Sequence, residues 1–275
     1  MRKKKSNLPK ISIITPSFNQ EEFIDKNIKS VLNQRYKNFE HIIIDGGSSD
    51  NTVAILKKYP HLKWVSEKDR GQSHAFNKGL KMATGEIIGW INSDDYLVNN
   101  VFHEIADAFD NETDWVVGNI IFEYKTIGKK IPDRSPLITL RALQRKPEIV
   151  RQQGTFIRKS TLKKIGGLDE KIQIAMDCDL WFKLVKLSPP KMVNRHWAYF
   201  VFHTDQKTSG RNLLKQTTQA VKTLLKHESP IFYIFMFASR NYYYFIKYII
   251  KTCLIKIGLV DPKYANISYF NKKLK

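Results

Sequence analysis

The sequence predicts an α/β fold in which a mainly parallel sheet has helices on both faces. Over the first hundred of the 275 residues, short β-branched runs alternate with segments of helical periodicity. That strand–helix order is typical of parallel sheets with right-handed crossovers. The length suffices for one large domain or for two closely joined halves, each with its own core.

The first strand–helix unit begins at residues 11–14, a short apolar run that ends at Thr15-Pro16. Asn19 follows as a candidate helix N-cap, with Glu22 three residues later as its capping-box partner. The apolar residues beyond them recur at helical spacing. The pattern therefore predicts a strand, a turn, and a helix that starts at Asn19.

Three more strands are predicted in this half, at residues 41–44, 62–66 and 87–91. Helical patterns separate them, and the second of these helices covers residues 75–83. Gly85 stands where the C-terminal cap of that helix belongs.

Acidic side chains follow the second, third and fourth strands. Asp45 ends the second, Glu67 and Asp69 follow the third, and Asp94-Asp95 follow the fourth. Ligands of open α/β sheets bind beyond the carboxyl ends of the strands. The sequence therefore predicts that these carboxylates gather along one edge of the sheet.

Beyond about residue 110 the pattern changes. Strands are predicted at residues 115–124 and 192–203, and a short helix at residues 160–165. Between them, Asp177 and Asp179 precede an amphipathic helix. This region, residues 111–225, is therefore treated as distinct from residues 8–110.

The C-terminal region, residues 226–275, differs again. Nine of the twenty residues 231–250 are Phe or Tyr, and basic residues interrupt the run. A spanning helix needs about 20 largely uncharged apolar residues, so no span is expected. The composition favours a pair of aromatic, basic helices in a membrane interface. A helical hairpin packed on the domain, or a dimer contact, is the alternative.

Charge and cysteine content narrow the function classes. The formal charge is +20, of which residues 1–10 contribute +5 and residues 226–275 contribute +7. Such charge suits nucleic acid, an anionic membrane or a phosphorylated substrate, and it also suits a basic solvated surface. The two cysteines form no zinc pattern, and no apolar leader follows the basic N-terminus, so a cytoplasmic protein is expected.

The turn Ser93-Asp94-Asp95 is the main candidate for chemistry. Carboxylates are hard ligands that suit Mg²⁺ or Mn²⁺, and such a metal keeps positions open for diphosphate oxygens. His203 is a candidate second ligand. A solvated aspartate pair that caps a helix, and a structural histidine, are the plain alternatives.

Asp177 is the candidate general base, since a carboxylate can take the proton of an attacking hydroxyl group. A helix N-cap is its alternative role, and Asp179 competes for the assignment. The chain contains no Walker A, GxGxxG, GxSxG or HExxH motif. Phosphate binding would therefore depend on metal, helix N-termini and basic side chains.

Four stretches within residues 10–210 resemble, in order, the inverting glycosyltransferases of family 2, which adopt the GT-A fold. They are ISIITPSFNQEEFIDKNIKSVLNQ, FEHIIIDGGSSDNT, SEKDRGQSHAFNKGLKMATGEIIGWINSDD and QQGTFIRKSTLKKIGGLDEKIQIAMDCDLWFKL. The resemblance implies a Rossmann-like nucleotide-binding sheet flanked by helices in residues 8–110. It also implies a smaller acceptor-side region in residues 111–225, followed by the C-terminal helices.

The resemblance also implies roles for single residues. Those expected to bind or face the nucleotide-sugar are Thr15, Pro16, Ser17, Asp45, Asp69, Lys78 and Asp94. In a DXD-like motif, Asp95 would ligate Mn²⁺ or Mg²⁺, and His203 would lie near the diphosphate or the metal. Asp177 would be the general base.

Three positions depart from the family pattern. Met176 stands where many members have Glu, His74 where an acidic residue is common, and Val201 where an Arg often precedes the histidine by two positions. We therefore expect the diphosphate charge to be met elsewhere, by Lys207 or Arg211. The donor preference does not carry over from relatives.

The sequence thus predicts a metal-dependent, inverting glycosyltransferase of the hexosyl type. Its donor would be a nucleotide-sugar, UDP-linked, and its acceptor a glycan or lipid-linked glycan. It would act as a peripheral protein on the inner face of the cell membrane, in surface polysaccharide or lipopolysaccharide synthesis. The alternatives are a basic nucleic-acid-binding protein, a catalytically inactive scaffold with this fold, and a nucleotidyltransferase that releases pyrophosphate. The acidic edge of the sheet counts against nucleic acid, whose phosphates it would repel.

Overall fold

The computed structural model describes residues 8–203, 206, 212–257 and 259. Within these ranges, nine strands belong to one sheet. The strands are β1 Ile11–Ser17, β2 Phe39–Asp45, β3 Lys63–Ser66, β4 Ile87–Trp90, β5 Tyr96–Leu97, β6 Trp115–Tyr124, β7 Lys129–Asp133, β8 Thr155–Arg158 and β9 Lys191–Phe202. Their order across the sheet is β3-β2-β1-β4-β8-β6-β9-β5, and β7 pairs with β6.

The helices lie between these strands and after them. They are α1 Ile24–Leu32, α2 Thr52–Leu56, α3 Gln72–Met82, α4 Phe102–Ala108, α5 Leu140–Arg145, α6 Lys159–Lys164, α7 Met176–Leu187, α8 Leu213–Lys226 and α9 Ile231–Lys256. Short 3₁₀ turns occur at Lys125–Ile127, Pro147–Ile149 and Gln152–Gly154.

The first half of the sheet is parallel and is covered by helices on both faces. β1 pairs in parallel with β2 and β4, and β2 pairs in parallel with β3. Successive side chains of β2 point to opposite faces, as the pleat requires. Ile42 and Ile44 share a core with Phe76 of α3, whereas Ile43 shares one with Ile28 of α1. The predicted α/β class is therefore confirmed.

The second half of the sheet is mixed. β8 is antiparallel to both β4 and β6, whereas β9 runs parallel to β6 and antiparallel to β5. Tyr96 of β5 lies opposite Tyr199 of β9. This register brings the end of β9 to the turn that precedes β5. Strands from both sides of residue 110 thus share one sheet, and the division there stays a prediction.

The predicted N-cap at Asn19 is wrong. Helix α1 begins at Ile24, and no side chain caps it. Asn19 instead adopts a φ of 52°. Its side-chain oxygen accepts a hydrogen bond of 2.9 Å from the Ser49 amide. The asparagine therefore joins the turn after β1 to the turn after β2, a contact between distant parts of the sequence.

The predicted cap at Gly85 is also wrong, because Ala83 occupies the C-cap of α3. The absence of a side chain at Gly85 allows the backbone to pass close to β1. A Cβ at this position would lie 2.5 Å from Ser12 Oγ and 2.7 Å from the Lys10 carbonyl oxygen. Those distances are shorter than van der Waals contact allows, so a side chain at position 85 would push β1 away.

The C-terminal region contains one long helix rather than the predicted pair within residues 231–260. Helix α9 packs against α8 and α5. It buries Ile234, Phe237 and Asn241 on its inner side. Over the part of the chain that the structure describes, no helix combines the length and apolar character that crossing a membrane requires.

Candidate active site

A cavity of about 450 Å³ opens at the carboxyl ends of β1 and β4. This volume is within the range of small-molecule sites. Its walls come from the turns after β1 and β4, the starts of α3 and α7, and the end of β9. Seven of the ten predicted site residues line it: Pro16, Ser17, Asp69, Asp94, Asp95, Asp177 and His203. We call it the front cavity.

Asp94 and His203 form a pair at the wall of the front cavity. The antiparallel register of β5 and β9 sets the residues before Tyr96 against those after Tyr199. As a result, Asp94 Oδ2 lies 3.0 Å from His203 Nε2, across 109 residues of sequence. The imidazole also packs on the Phe23 ring, with 4.4 Å between the ring centroids. A carboxylate oxygen and an imidazole nitrogen, both potential metal ligands, therefore lie together at the cavity wall.

Asp95 is held differently, although it follows directly in sequence. Its side chain is buried, with 2 % of its surface exposed. Oδ1 accepts a hydrogen bond of 2.9 Å from the Val201 amide, and Oδ2 accepts one of 2.7 Å from Gln153 Nε2. Burial, and then the neighbouring charge of Asp94, raise the pKa of Asp95 well above its usual value. Its predicted role as a metal ligand stays a prediction.

Side-chain amides fix the turn that carries both aspartates. Asn27 Nδ2 donates to the Asn92 and Asp95 carbonyl oxygens at 2.9 and 2.8 Å. Gln72 Nε2 donates to Asn92 Oδ1 at 2.7 Å, and Asn92 Nδ2 donates to Gln152 Oε1 at 3.2 Å. Sequence reasoning assigned a functional role to none of these four amides. The one sequence feature that could have indicated this network is the adjacent pair Gln152 and Gln153, which lies in a stretch that resembles the family.

Asp177 stands at the point where α7 begins. The helix starts at Met176, and Ala175 before it has a left-handed φ of 64°. Asp177 Oδ1 accepts a 2.9 Å hydrogen bond from the Cys178 amide. Because Ala175 occupies the cap position, Asp177 is not the N-cap of α7. Burial raises the pKa of this carboxyl above its usual value.

Asp179 no longer competes for the role of base, because its carboxylate is inside the protein. It is 1 % exposed. It pairs with Lys183 at 3.0 Å, and with Lys226 and His227 at 2.9 Å each. Burial alone would raise the pKa of Asp179, but hydrogen bonds from His227, Lys226 and Lys183 outweigh it and hold the pKa below its usual range. This residue ties α8 to α7.

The three remaining predicted residues do not line the front cavity. Thr15 is fully buried, with Oγ1 3.0 Å from His41 Nε2. Asp45 is also buried and accepts hydrogen bonds from the amides of the turn that follows it. Lys78 pairs with Glu67. Their roles toward a nucleotide stay predictions.

The mouth of the front cavity is formed by the turn after β1 and by Asp69. Phe18 is 58 % exposed there. Asp69 Oδ1 accepts a 2.8 Å hydrogen bond from the Gly71 amide, and Gly71 has a φ of 108°, which favours glycine. Lys207 and Arg211, expected to meet diphosphate charge, lie outside the described residues.

Two potential metal ligands meet at this cavity, but not a larger cluster. Within residues 8–203, 206, 212–257 and 259, no group of three or more His, Cys, Asp and Glu side chains is arranged to hold a metal. Asp94 and His203 would therefore supply part of a coordination shell, and oxygens of a ligand or water would complete it.

Comparisons with known proteins agree on one family. Residues 12–166 match the profile of the family described as "Glycosyl transferase family 2". The match covers more than half of the chain, and it includes the β1 turn, the Asp94-Asp95 turn and the glutamine pair.

Curated relatives carry the same classification. An uncharacterized glycosyltransferase of Mycobacterium tuberculosis, Rv1514c, is 30 % identical over 194 residues, covering 67 % of this chain and 72 % of the relative. Chondroitin synthase of Escherichia coli is 27 % identical over 219 residues, covering 75 % of this chain. The aligned part makes up only 31 % of that longer enzyme.

Solved structures share the fold. TarS 1–349 of S. aureus, in complex with UDP-GlcNAc, superposes with a TM-score of 0.61 at 21 % identity, covering 78 % of this chain and 66 % of that one. The mannosyltransferase PcManGT of Pyrobaculum calidifontis, in complex with GDP-Man and Mn²⁺, gives a TM-score of 0.60 at 16 % identity, covering 94 % and 79 %. The GT-A architecture expected from the sequence is therefore confirmed.

Proposed function

The chain belongs to glycosyl transferase family 2 and is a glycosyltransferase, and on that premise we propose that it moves a sugar from a UDP-linked donor to an acceptor hydroxyl with inversion. One observation carries the proposal: the carboxylate of Asp177 and the Asp94–His203 pair face the same cavity. The TarS complex with UDP-GlcNAc supports a uridine nucleotide. Because PcManGT was solved with GDP-Man, a GDP-linked donor is the alternative, and the experiment below includes it.

Asp177 would act as the general base. The acceptor oxygen bonds to the anomeric carbon while the bond from that carbon to the diphosphate oxygen breaks, and the electron pair leaves with the nucleoside diphosphate. The hydroxyl proton goes to the Asp177 carboxylate. The raised pKa of Asp177 suits this step, because a more basic carboxylate takes up the proton more readily.

The Asp94–His203 pair fits a divalent cation. A carboxylate oxygen and an imidazole nitrogen lie 3.0 Å apart at the cavity wall, and these are donor types that Mn²⁺ accepts; Mg²⁺ prefers oxygen alone. Asp94 and His203 would hold such a cation, which would supply positive charge beside the departing diphosphate. We therefore assign metal binding first to Asp94 and His203, because both oxygens of Asp95 already accept hydrogen bonds from protein groups.

The acceptor and the cellular setting follow from the similarity and from the C-terminal helix. Chondroitin synthase, which resembles the chain over 219 residues, supports a glycan product, such as a surface polysaccharide or lipopolysaccharide. The outward side of α9 exposes Phe232, Phe235, Tyr242 and Ile250 by 54–68 %. An apolar helix face with lysines beside it is typical of interfacial helices. We place the enzyme as a peripheral protein on an anionic membrane.

The test of the reaction is release of nucleoside diphosphate from a panel of UDP-, GDP- and dTDP-sugars, with Mn²⁺, with Mg²⁺ and with chelator. We expect release from one donor, dependent on metal. Asp94→Ala should raise the Mn²⁺ concentration for half-maximal rate at least about tenfold, because one ligand is lost. Asp110→Asn, an exposed carboxylate paired with Lys191 outside the cavity lining, is the matched control.

Failure to bind any donor, with or without metal, would overturn the proposal in favour of an inactive scaffold. A metal requirement that changes in Asp95→Ala but not in Asp94→Ala would return the ligand role to Asp95. Release of pyrophosphate instead of nucleoside diphosphate would identify a nucleotidyltransferase.

Membrane attachment is tested by sedimentation with vesicles that contain or lack anionic lipid. The paired change Phe235→Ser and Tyr242→Ser should release the protein from anionic vesicles, because it removes apolar area from the exposed side of α9. Leu32→Ser, an exposed leucine on α1, is the control. Unchanged sedimentation of the paired variant would contradict attachment through α9.

A further inference from the structure

A second cavity, of about 140 Å³, lies on the other side of the Asp177 side chain. Asp177, Ile174 and Ala175 line both cavities, so the two meet at the candidate base. The remaining walls of this rear cavity come from the 3₁₀ turn Pro147–Ile149, from the start of α7, and from α8 and α9.

The walls contributed by α8 and α9 combine apolar side chains with a few polar groups. Leu213, Ala220 and Phe237 line the rear cavity and are each 5 % exposed. Thr217 and Asn241 add a hydroxyl and an amide to the same walls. Such a lining suits a ligand that has an apolar group next to a polar one. The apolar walls would supply affinity, and the few polar groups would set the orientation of the ligand.

Three contacts fasten the C-terminal helices to the catalytic side. Gln219 Oε1 of α8 accepts a 2.7 Å hydrogen bond from the Ile174 amide, just before α7. Arg240 of α9 pairs with Glu148 at 2.7 Å. The third contact is the buried group around Asp179 described above. Because these contacts fix α8 against the start of α7 and α9 against the 3₁₀ turn Pro147–Ile149, the rear cavity has defined walls.

Helix α9 has two different sides. Phe237 and Asn241 point inward and line the rear cavity, whereas Phe235, Met236 and Tyr242 are 52–68 % exposed. The family match ends at residue 166, so both helices lie outside it. An apolar surface and an apolar-walled cavity beside the base are thus built from the same helix.

We propose that the rear cavity is the acceptor subsite, and that the acceptor is an amphiphile whose apolar group adjoins the reacting sugar. This inference rests on the proposed function, because it takes Asp177 as the base. The cavity equals about five water molecules at ~30 Å³ each, so it holds the apolar group nearest the reacting hydroxyl and not a whole lipid. The donor occupies the front cavity, and the acceptor hydroxyl meets it at Asp177.

The test uses n-octyl β-D-glucoside and methyl β-D-glucoside as probes, below the micelle concentration, with methyl-resolved NMR of the full chain. The octyl glycoside should shift the methyl signals of Ile174 and Leu213 and should bind at least about tenfold more tightly than the methyl glycoside. Burial of about two methylene groups is enough for that factor.

Two neighbouring threonines of α8 provide matched variants. Thr217 lines the rear cavity and donates to the Leu213 carbonyl at 2.7 Å; Thr218 is exposed and makes the same backbone bond to Leu214 at 2.9 Å. Thr217→Phe should abolish the octyl preference by filling the cavity, whereas Thr218→Phe should keep it. The comparison of the two glycosides in the unaltered protein does not depend on either variant folding.

Shifts confined to Ile246, Ile249 and Ile250 on the exposed side of α9, or equal affinity for the two glycosides, would overturn the proposal. Donor hydrolysis by water is measured in parallel. Nucleoside diphosphate release without octyl preference would refute the acceptor subsite alone. Absence of release from every donor would instead refute the proposed function.

Discussion

The edge of the sheet and the start of α7 each contain two nearby aspartates, and in both regions the two side chains differ in burial. In each pair, one aspartate is partly exposed at the front cavity, whereas the other is almost fully buried among protein hydrogen-bond donors. At the sheet edge these are Asp94 and Asp95; on α7 they are Asp177 and Asp179. Two acids that lie close together in sequence therefore differ in burial and in hydrogen-bond partners.

The two buried aspartates differ in their partners, and their pKa values shift in opposite directions. Asp95 receives hydrogen bonds from a neutral amide side chain and a backbone amide, and burial raises its pKa. Asp179 faces two lysines and a histidine, which hold its pKa below the usual range despite burial. The first stabilises a turn through hydrogen bonds alone, whereas the second is an ionic link between helices.

The largest effect is expected at Asp177. Asp177→Asn removes the proposed proton acceptor but keeps the shape of the side chain. Sugar transfer should fall by about 10²–10⁴-fold, the usual contribution of a general base. Donor affinity and the thermal midpoint should remain close to those of the unaltered protein. The measurement is the single-turnover transfer rate together with a donor binding isotherm.

Asp110→Asn is again the control, since that carboxylate is exposed and lies outside the cavity lining. Retention of the full transfer rate in Asp177→Asn would show that another group accepts the proton, and the assignment of roles within the α7 pair would fail.

The next effect is on stability and concerns Asp179. Asp179→Asn leaves Lys183, Lys226 and His227 without their shared carboxylate. Breaking a buried ion pair costs about 3–5 kcal/mol, so the free energy of unfolding at neutral pH should drop by that order. Because the folded-state pKa of Asp179 is lowered, its contribution is present above the unfolded pKa of about 3.9 and is lost as the pH falls through the folded value.

The loss in Asp179→Asn should therefore shrink in acid, as denaturant unfolding at several pH values would reveal. A loss that does not depend on pH would mean that packing, and not charge, dominates at this position.

A smaller loss with the opposite pH dependence is expected at Asp95. In Asp95→Asn, the NH₂ of the new amide faces a hydrogen-bond donor, so one of the hydrogen bonds from Gln153 and Val201 is lost. The free energy of unfolding should fall by about 1–3 kcal/mol. The folded-state pKa of Asp95 is raised, so its contribution to stability is complete below the unfolded pKa and is lost as the pH rises through the folded value.

The difference between unaltered protein and Asp95→Asn should thus grow in acid, where that for Asp179→Asn shrinks. The same denaturant series measures both. Parallel pH trends for the two variants would contradict the contrast between neutral and ionic partners.

Sequence patterns predicted the local features of both regions and missed the contacts between them. The strand at residues 115–124 was predicted with the bounds observed, and the acidic turns do lie at the strand ends. The burial of Asp95 depends on β5 pairing with β9, about a hundred residues away, and a single sequence carries no record of that register. The same holds for Asp179, whose partners Lys226 and His227 lie on and just after α8.

The smallest effect concerns the charge next to Asp177 rather than Asp177 itself. Burial is the main cause of the raised pKa of Asp177, and the negative charge of Glu148 raises it further. Glu148→Gln should lower that pKa, and the acid limb of the transfer rate should move to lower pH by a fraction of a unit. The position of the acid limb is the readout rather than the maximal rate, because Glu148 lines the rear cavity and pairs with Arg240.

Glu22→Gln is the matched control for this measurement, since Glu22 also pairs with a cation, Lys125, but lines neither cavity. The pH profile of transfer at saturating donor decides between the two. A shift to lower pH in Glu148→Gln and none in Glu22→Gln means that the α7 region sets the basicity of Asp177 through burial and one nearby charge. Equal profiles for both variants would mean that the charge of Glu148 does not influence the basicity of Asp177.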